Sequence, residues 1–311
     1  MAGIVSFHAH PDDESIGTGG LLARAAAAGH RVTLVFATRG ELGTPVEGVL
    51  APGEQLALRR TAECYESAAA LGVARVEFLG WTDSGMAGAP TNDVPWCFWQ
   101  ADVDSAAARL AAVLREERPD VLTVYDDIGG YGHPDHIQVH RVGMRAGELA
   151  GVPVVVQGAI NRDLIDRAMA AAAELGVEGD PQAERVQAKA AGEEAMPEVA
   201  APAATGPDAG AAPFGKREDE LTHVVDVGDH LDAKRASMRA HASQIGPDHF
   251  MASMPDEAFA YVFGREWFIV DPVPADPPAL FTELFEPFHP AGDAAAGASD
   301  EATDPGARPD T

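Results

Sequence analysis

Short apolar runs alternate with longer stretches of helical periodicity along the first half of the chain. Residues 3–7 form a brief apolar run, and residues 31–37 a longer β-branched one. Similar runs follow at 75–79, 120–125 and 153–159. Continuous runs of this kind, without polar alternation, predict parallel strands covered on both faces. Between them, apolar positions recur three and four residues apart. That spacing predicts helices over 14–29, 54–71, 101–118, 134–150 and 161–175. Gly29 and Gly72 stand where two of these would stop. Pro134 opens another, at the one helical position where a missing N–H is harmless. Long loops rich in Gly and Pro are expected at 38–53 and 80–100, with a shorter one at 126–132. Loops of that length inside a compact domain usually carry function.

Strand and helix thus alternate five times, which predicts an α/β fold: a Rossmann-like, mostly parallel sheet with helices on both faces. Residues 1–175 are expected to form this catalytic domain. Residues 176–215 are dense in Ala, Glu, Pro and Gly and read as a flexible insertion or linker. Order is expected to resume over 216–275, with strands at 220–227 and 266–270 and helices at 229–244 and 256–262. This small C-terminal α/β portion would complete the domain. Residues 276–311 read as a disordered tail.

Composition excludes some partners. The chain has 311 residues, enough for a sizeable core, and carries 49 acids against 22 bases, a formal charge of −27. Only Lys189, Lys216 and Lys234 are lysines. Nucleic acid and anionic membrane surfaces call for basic patches, so neither is an expected partner. Cys64 and Cys97 make neither a disulfide framework nor a thiolate metal site. With no charged leader before an apolar segment and no apolar run near 18 residues, a cytoplasmic protein is expected.

The chemistry gathers at two strand ends. His8-Ala9-His10-Pro11-Asp12-Asp13-Glu14 follows the first strand, and His133-Pro134-Asp135-His136 follows the fourth after Gly129-Gly130-Tyr131-Gly132. Open α/β sheets bind ligands at such carboxyl ends. His10, Asp13 and His136 would make a His₂Asp site with an open position, suited to Zn²⁺ and also to Fe²⁺. Asp12 lies beside that set and could take a proton from activated water. His133, protonated, could steady an oxyanion and hand its proton to a leaving amine, with Asp135 orienting it and Tyr131 adding a hydrogen bond. Other readings stay open on spacing alone. His10, Asp13 and His133 could cap their helices, or the aspartates could form a magnesium-dependent phosphoacceptor pocket. His8 is expected behind the metal ligands, and His140 to point away from them.

The paired motifs His-Pro-Asp-Asp-Glu and Gly-Gly-Tyr-Gly-His-Pro-Asp-His resemble those of the LmbE-like (PIG-L) zinc N-deacetylases. That family includes a glucosaminyl-inositol deacetylase and an S-conjugate amidase of the mycothiol pathway. The resemblance runs from about residue 3 to 271, skipping 176–215. It implies zinc held by His10, Asp13 and His136, Asp12 as general base, and His133, Tyr131 and Asp135 serving the oxyanion and leaving group. It further implies Arg60 and Asp83 as substrate-binding residues, where spacing alone reads a helix-surface Arg60–Glu63 ion pair and a turn aspartate. Arg239-Ala240-His241-Ala242-Ser243-Gln244 resembles a C-terminal segment of the mycothiol enzymes. The implied reaction is zinc-dependent deacetylation of a small N-acetylglucosaminyl substrate. The alternatives are an amidase acting on mycothiol-type thiol conjugates or other amides, for which Gly17 stands where the conjugate amidase has a lysine, and a non-catalytic sugar- or nucleotide-binding α/β domain.

Overall fold

The computed structural model describes residues 2–174 and 214–290. Its centre is one eight-stranded sheet in the order β3-β2-β1-β4-β5-β7-β6-β8. The first five strands in the chain are β1 (Gly3–His8), β2 (Arg31–Phe36), β3 (Arg75–Phe78), β4 (Val121–Tyr125) and β5 (Val154–Ala159). All of them pair in parallel. Three more, β6 (His223–Asp226), β7 (Arg265–Ile269) and β8 (Glu286–Pro287), extend one edge by antiparallel pairing.

The apolar runs are continuous because the interior strands are packed on both sides. In β2, Val32, Leu34 and Phe36 enter one core with Leu21, Leu22 and Leu71. Val35, between them, enters the other with Phe7, Phe98, Leu110 and Val139. This is the period-two alternation of a strand with no solvent face.

Helices α1 (Asp13–Gly17), α2 (Gly19–Ala27) and α3 (Leu56–Leu71) supply the first layer. Helix α4 (Val103–Glu117) packs with α6 (Pro134–Ala150) in the second, α6 following a short helical turn, α5 (Gly129–Gly132). Helix α7 (Arg162–Glu174) follows β5. The C-terminal part adds α8 (Leu231–Ala240), α9 (Phe250–Ser253), α10 (Asp256–Phe263) and α11 (Ala279–Leu284). Among the described residues, no helix is long and apolar enough to cross a membrane.

Two expectations need correction. The single helix expected over 14–29 is two, broken at Thr18, whose φ of −138° and ψ of 6° are not helical. The Thr18 hydroxyl is drawn to the Ser6 and His8 side chains instead, and α2 starts afresh with Glu266 accepting the N–H groups of Gly20 and Leu21 at 2.8 and 2.9 Å. Lys234 pairs with Glu266 at 2.5 Å and donates to the Ile16 carbonyl at 2.8 Å, tying both helices to α8. The tail expected from 276 onward is also ordered over 279–287. There Leu280, Phe281, Leu284 and Phe285 lie in the first core, so burial overrides the surrounding prolines. Most of the 176–215 insertion, and the tail beyond 290, lie outside the described residues.

This topology positions the site. From β1 the chain steps to β2 and β3, then returns to place β4 on the other side of β1. The carboxyl ends of β1 and β4 therefore border the crevice where strand order reverses.

Candidate metal centre and its cavity

The turn after β1 places two carboxylates and an imidazole together. The His10 N–H donates to Asp13 Oδ2 at 2.8 Å, folding the turn back on itself. Asp12 adopts φ 112°, a left-handed conformation that costs a non-glycine residue on the order of 1–3 kcal/mol. After β4, Gly129 takes φ 64°, and a Cβ there would lie 2.6 Å from Cβ of His136. Only glycine lets this loop fold against the helix that carries His136.

The two turns meet. His136 Nε2 lies 3.3 Å from Asp13 Oδ1, and His10 Nδ1 lies 3.4 Å from Asp13 Oδ2. One ligand atom from each of these three residues falls within 4.8 Å of the others. Apart from this approach to Asp13, His136 Nε2 is buried without a hydrogen-bond partner. A buried imidazole nitrogen normally has one, so its orphan state fits a metal ligand. Two imidazoles and a carboxylate suit a divalent cation such as zinc or ferrous iron. Burial pushes the Asp13 carboxyl up, but the His136 and His10 rings pull it well below the usual carboxylate range, ready to ligate.

The ring of His10 is fixed from behind. Its other nitrogen, Nε2, lies 3.1 Å from Asp135 Oδ2, and that carboxylate also accepts the Ser84 N–H at 3.0 Å and the Ser84 hydroxyl. This carboxylate–histidine arrangement typically backs a ligand imidazole. It corrects the expectation that Asp135 orients His133: the carboxylate serves His10, and only the Asp135 backbone N–H reaches His133, at Nδ1. That contact makes His133 the N-cap of α6. Capping and a place at the site, alternatives on spacing alone, thus coexist through different ring nitrogens.

A cavity of about 400 Å³ is lined by His10, Asp12, Asp13, His136 and His133 together with Tyr131, Arg60 and Asp83. Arg60 is buried, and its guanidinium donates to Asp12 Oδ1 at 3.0 Å, to the Pro11 carbonyl, and to the Gly40 carbonyl at 2.8 Å. It forms no surface pair with Glu63, whose carboxylate instead accepts the N–H and hydroxyl of Ser243. Asp83 accepts the N–H groups of Gly85 and Leu42 at 2.8 and 3.2 Å. Burial raises the Asp12 carboxyl above its ordinary value, with Arg60 opposing and Asp13 reinforcing. His133 is not the protonated acid expected. Burial, with His10 and His136 adding to it, lowers its pKa to about 2. The neutral ring accepts at Nδ1 and so carries its proton on Nε2.

Other residues near the site escaped the sequence reading. Tyr125, the last residue of β4, stacks on His136 with ring centroids 4.4 Å apart, while its hydroxyl meets His8 Nδ1 at 3.0 Å. Its position at the strand end, beside a histidine motif, was the available signal. His8 bonds Ser6 and Thr18 through its other nitrogen and also lines the cavity. Ser84 is fully buried against Asp135. Gln244 lines the cavity, and His241 pairs with Glu14 at 2.5 Å.

The family model PIG-L, described as GlcNAc-PI de-N-acetylase, matches residues 5–147. A 1D-myo-inositol 2-acetamido-2-deoxy-alpha-D-glucopyranoside deacetylase of Thermobispora bispora is 42% identical over 85% of this chain and 84% of its own length. The deacetylase of the same name from Acidothermus cellulolyticus is 41% identical over 85% and 86%. Among solved structures, the N,N'-diacetylchitobiose deacetylase of Pyrococcus horikoshii superimposes with a TM-score of 0.53 at 21% identity, over 87% of this chain and 84% of its own. A 4-carboxy-2-hydroxymuconate hydratase of Pseudomonas putida does so with a TM-score of 0.51 at 17% identity, over 90% and 100%. The fold alone therefore does not decide the chemistry. With relatives above 40% identity across most of their length, and with both motifs converging on one cavity, the chain belongs to the PIG-L family of de-N-acetylases.

Proposed function

We propose that this chain is a zinc-dependent N-deacetylase that releases acetate from a 2-acetamido sugar joined to myo-inositol. The observation that carries the reading is the convergence of Asp12 with the His10, Asp13 and His136 cluster in one cavity. The names of the relatives supply the sugar and the inositol.

Zinc held by His10, Asp13 and His136 would polarise water and the acyl carbonyl. Asp12, its basicity raised by burial and its carboxylate held by Arg60, takes the proton from the attacking water. His133 donates its Nε2 proton in a hydrogen bond to the carbonyl oxygen as negative charge develops there. Tyr131, on its glycine-flanked turn, adds a second donor. Asp12 then returns its proton to the leaving nitrogen. Asp83 accepts hydrogen bonds from sugar hydroxyls. Arg60, already bound to two backbone carbonyls and Asp12, shapes the cavity wall and keeps the base in place.

Amine release from the N-acetylglucosaminyl-inositol substrate, followed with fluorescamine, tests this reading. Asp12→Asn should keep its metal and lose roughly 10²–10⁴-fold in rate. No amine released by the wild type, or full activity in Asp12→Asn, would overturn the proposal.

A further inference from the structure

Glu14 is fully buried between the proposed base and a histidine from the other end of the chain, and the reaction above gives it no part. Its Oε2 accepts the Asp12 backbone N–H at 2.9 Å. Its Oε1 meets His241 Nε2 and the Ser67 hydroxyl, each at 2.5 Å. Neither the Glu14 nor the His241 side chain has any solvent exposure, so water does not compete for these contacts.

The Pro11–Asp12 peptide is gripped at both ends. Arg60 donates to its carbonyl and Glu14 accepts its N–H. The φ torsion of Asp12, at 112°, turns the side chain about that held plane. A strained torsion relaxes once the plane is free to rotate, and the carboxylate moves with it. The Arg60 grip comes from α3, inside the same α/β unit. The Glu14 grip depends on a residue at the end of α8, 227 positions away in sequence.

We propose that His241 is a positioning residue for the general base: by fixing Glu14 it locks the Pro11–Asp12 peptide and aims the Asp12 carboxylate into the cavity. The proposal rests on Asp12 being the base. Without the His241 donor, Glu14 keeps Ser67 but loses the contact that sets its angle. The Asp12 N–H then loses a fixed acceptor.

The test uses the full-length, metal-loaded protein. His241→Leu should lower kcat roughly 10- to 100-fold, as misplacement of a catalytic group does, with KM and metal content little changed. His241→Gln, whose amide still donates to Glu14, should restore most of the rate. In an Asp12→Asn background, His241→Leu should change the residual rate by less than about twofold, because positioning acts only through the base. Residue-resolved hydrogen exchange reads the link directly: the Asp12 amide should lose protection in His241→Leu and keep it in His241→Gln. An equal fall in kcat in both backgrounds, or an Asp12 amide protected as in the wild type, would overturn the proposal. If the wild type cleaves no amide bond, the reading of the reaction falls, while exchange still decides the link. Should His241→Leu not fold, His241→Asn, one methylene shorter than the rescuing glutamine, takes its place.

Discussion

Replacing Asp135 separates the charge of its carboxylate from its shape. Three donors converge on it: His10 Nε2 and the Ser84 N–H on Oδ2, and the Ser84 hydroxyl on Oδ1. In Asp135→Asn the amide oxygen can keep the Oδ2 position and both of its bonds. The amide NH₂ then faces the Ser84 hydroxyl, which already accepts the Trp99 N–H at 2.9 Å and has a second lone pair to offer. What is lost is charge assistance, about 1 kcal/mol per bond. The bond to His10 is the one that bears on metal binding, and losing such support typically weakens a site about 10- to 100-fold. Asp135→Ala instead strands all three donors, at about 1–3 kcal/mol each, and should destabilise the fold by at least about 3 kcal/mol. Competition with a chromophoric chelator measures the first effect, and urea unfolding of metal-stripped protein the second. An asparagine variant binding zinc as tightly as the wild type would refute the support assigned to Asp135.

Two further outcomes follow from charges away from the cavity. The Arg31 guanidinium, 2.6 and 3.2 Å away, with Arg75 and Thr33 beside it, holds Glu117 down at about 2. A lowered carboxyl contributes stability that is present above its unfolded value, near 4.5, and is lost as pH falls toward 2. Because Arg31 is 45% exposed, screening leaves about 1 kcal/mol of it. Glu117→Gln should therefore lower Tm by about 2–4 °C at pH 7, with the gap closing between pH 4.5 and 2.5; a gap independent of pH would contradict this. Lys234→Met leaves Glu266 buried without its cation and should cost about 3–5 kcal/mol in urea unfolding, with Glu266→Gln in the same chain recovering much of it. A loss below about 1 kcal/mol would show that the pair is not needed.

The meeting of His10, Asp13 and His136 was legible because these residues sit at the two strand ends where parallel sheets expose side chains, and His-Pro-Asp-Asp sets two donors three residues apart. The partner of Asp135 was not. In sequence it neighbours His133, and its link to His10 exists only because β4 packs beside β1. Strand direction was equally hidden. Apolar periodicity marks β6 and β7 as strands but cannot say that they run antiparallel at an edge. The ordered segment at 279–287 was masked by the prolines before it. Its real signal was the helical spacing of Leu280, Phe281, Leu284 and Phe285, all of which are buried. The protonation of His133 was out of reach for a different reason, since it follows from burial beside two other imidazoles.

The bond from Lys234 to the Ile16 carbonyl and the cap that Glu266 places on α2 have a temporal meaning. On the ribosome, the His-Pro-Asp-Asp-Glu turn and the two helices after it emerge before the groups that hold them: Arg60, His136 and His241 reach the turn, and Lys234 and Glu266 reach the helices. A nascent chain thus presents a histidine and two aspartates long before the groups that enclose them exist. The turn is made before the groups that enclose it, and the shape of its histidine and aspartate cluster is a property of the folded whole.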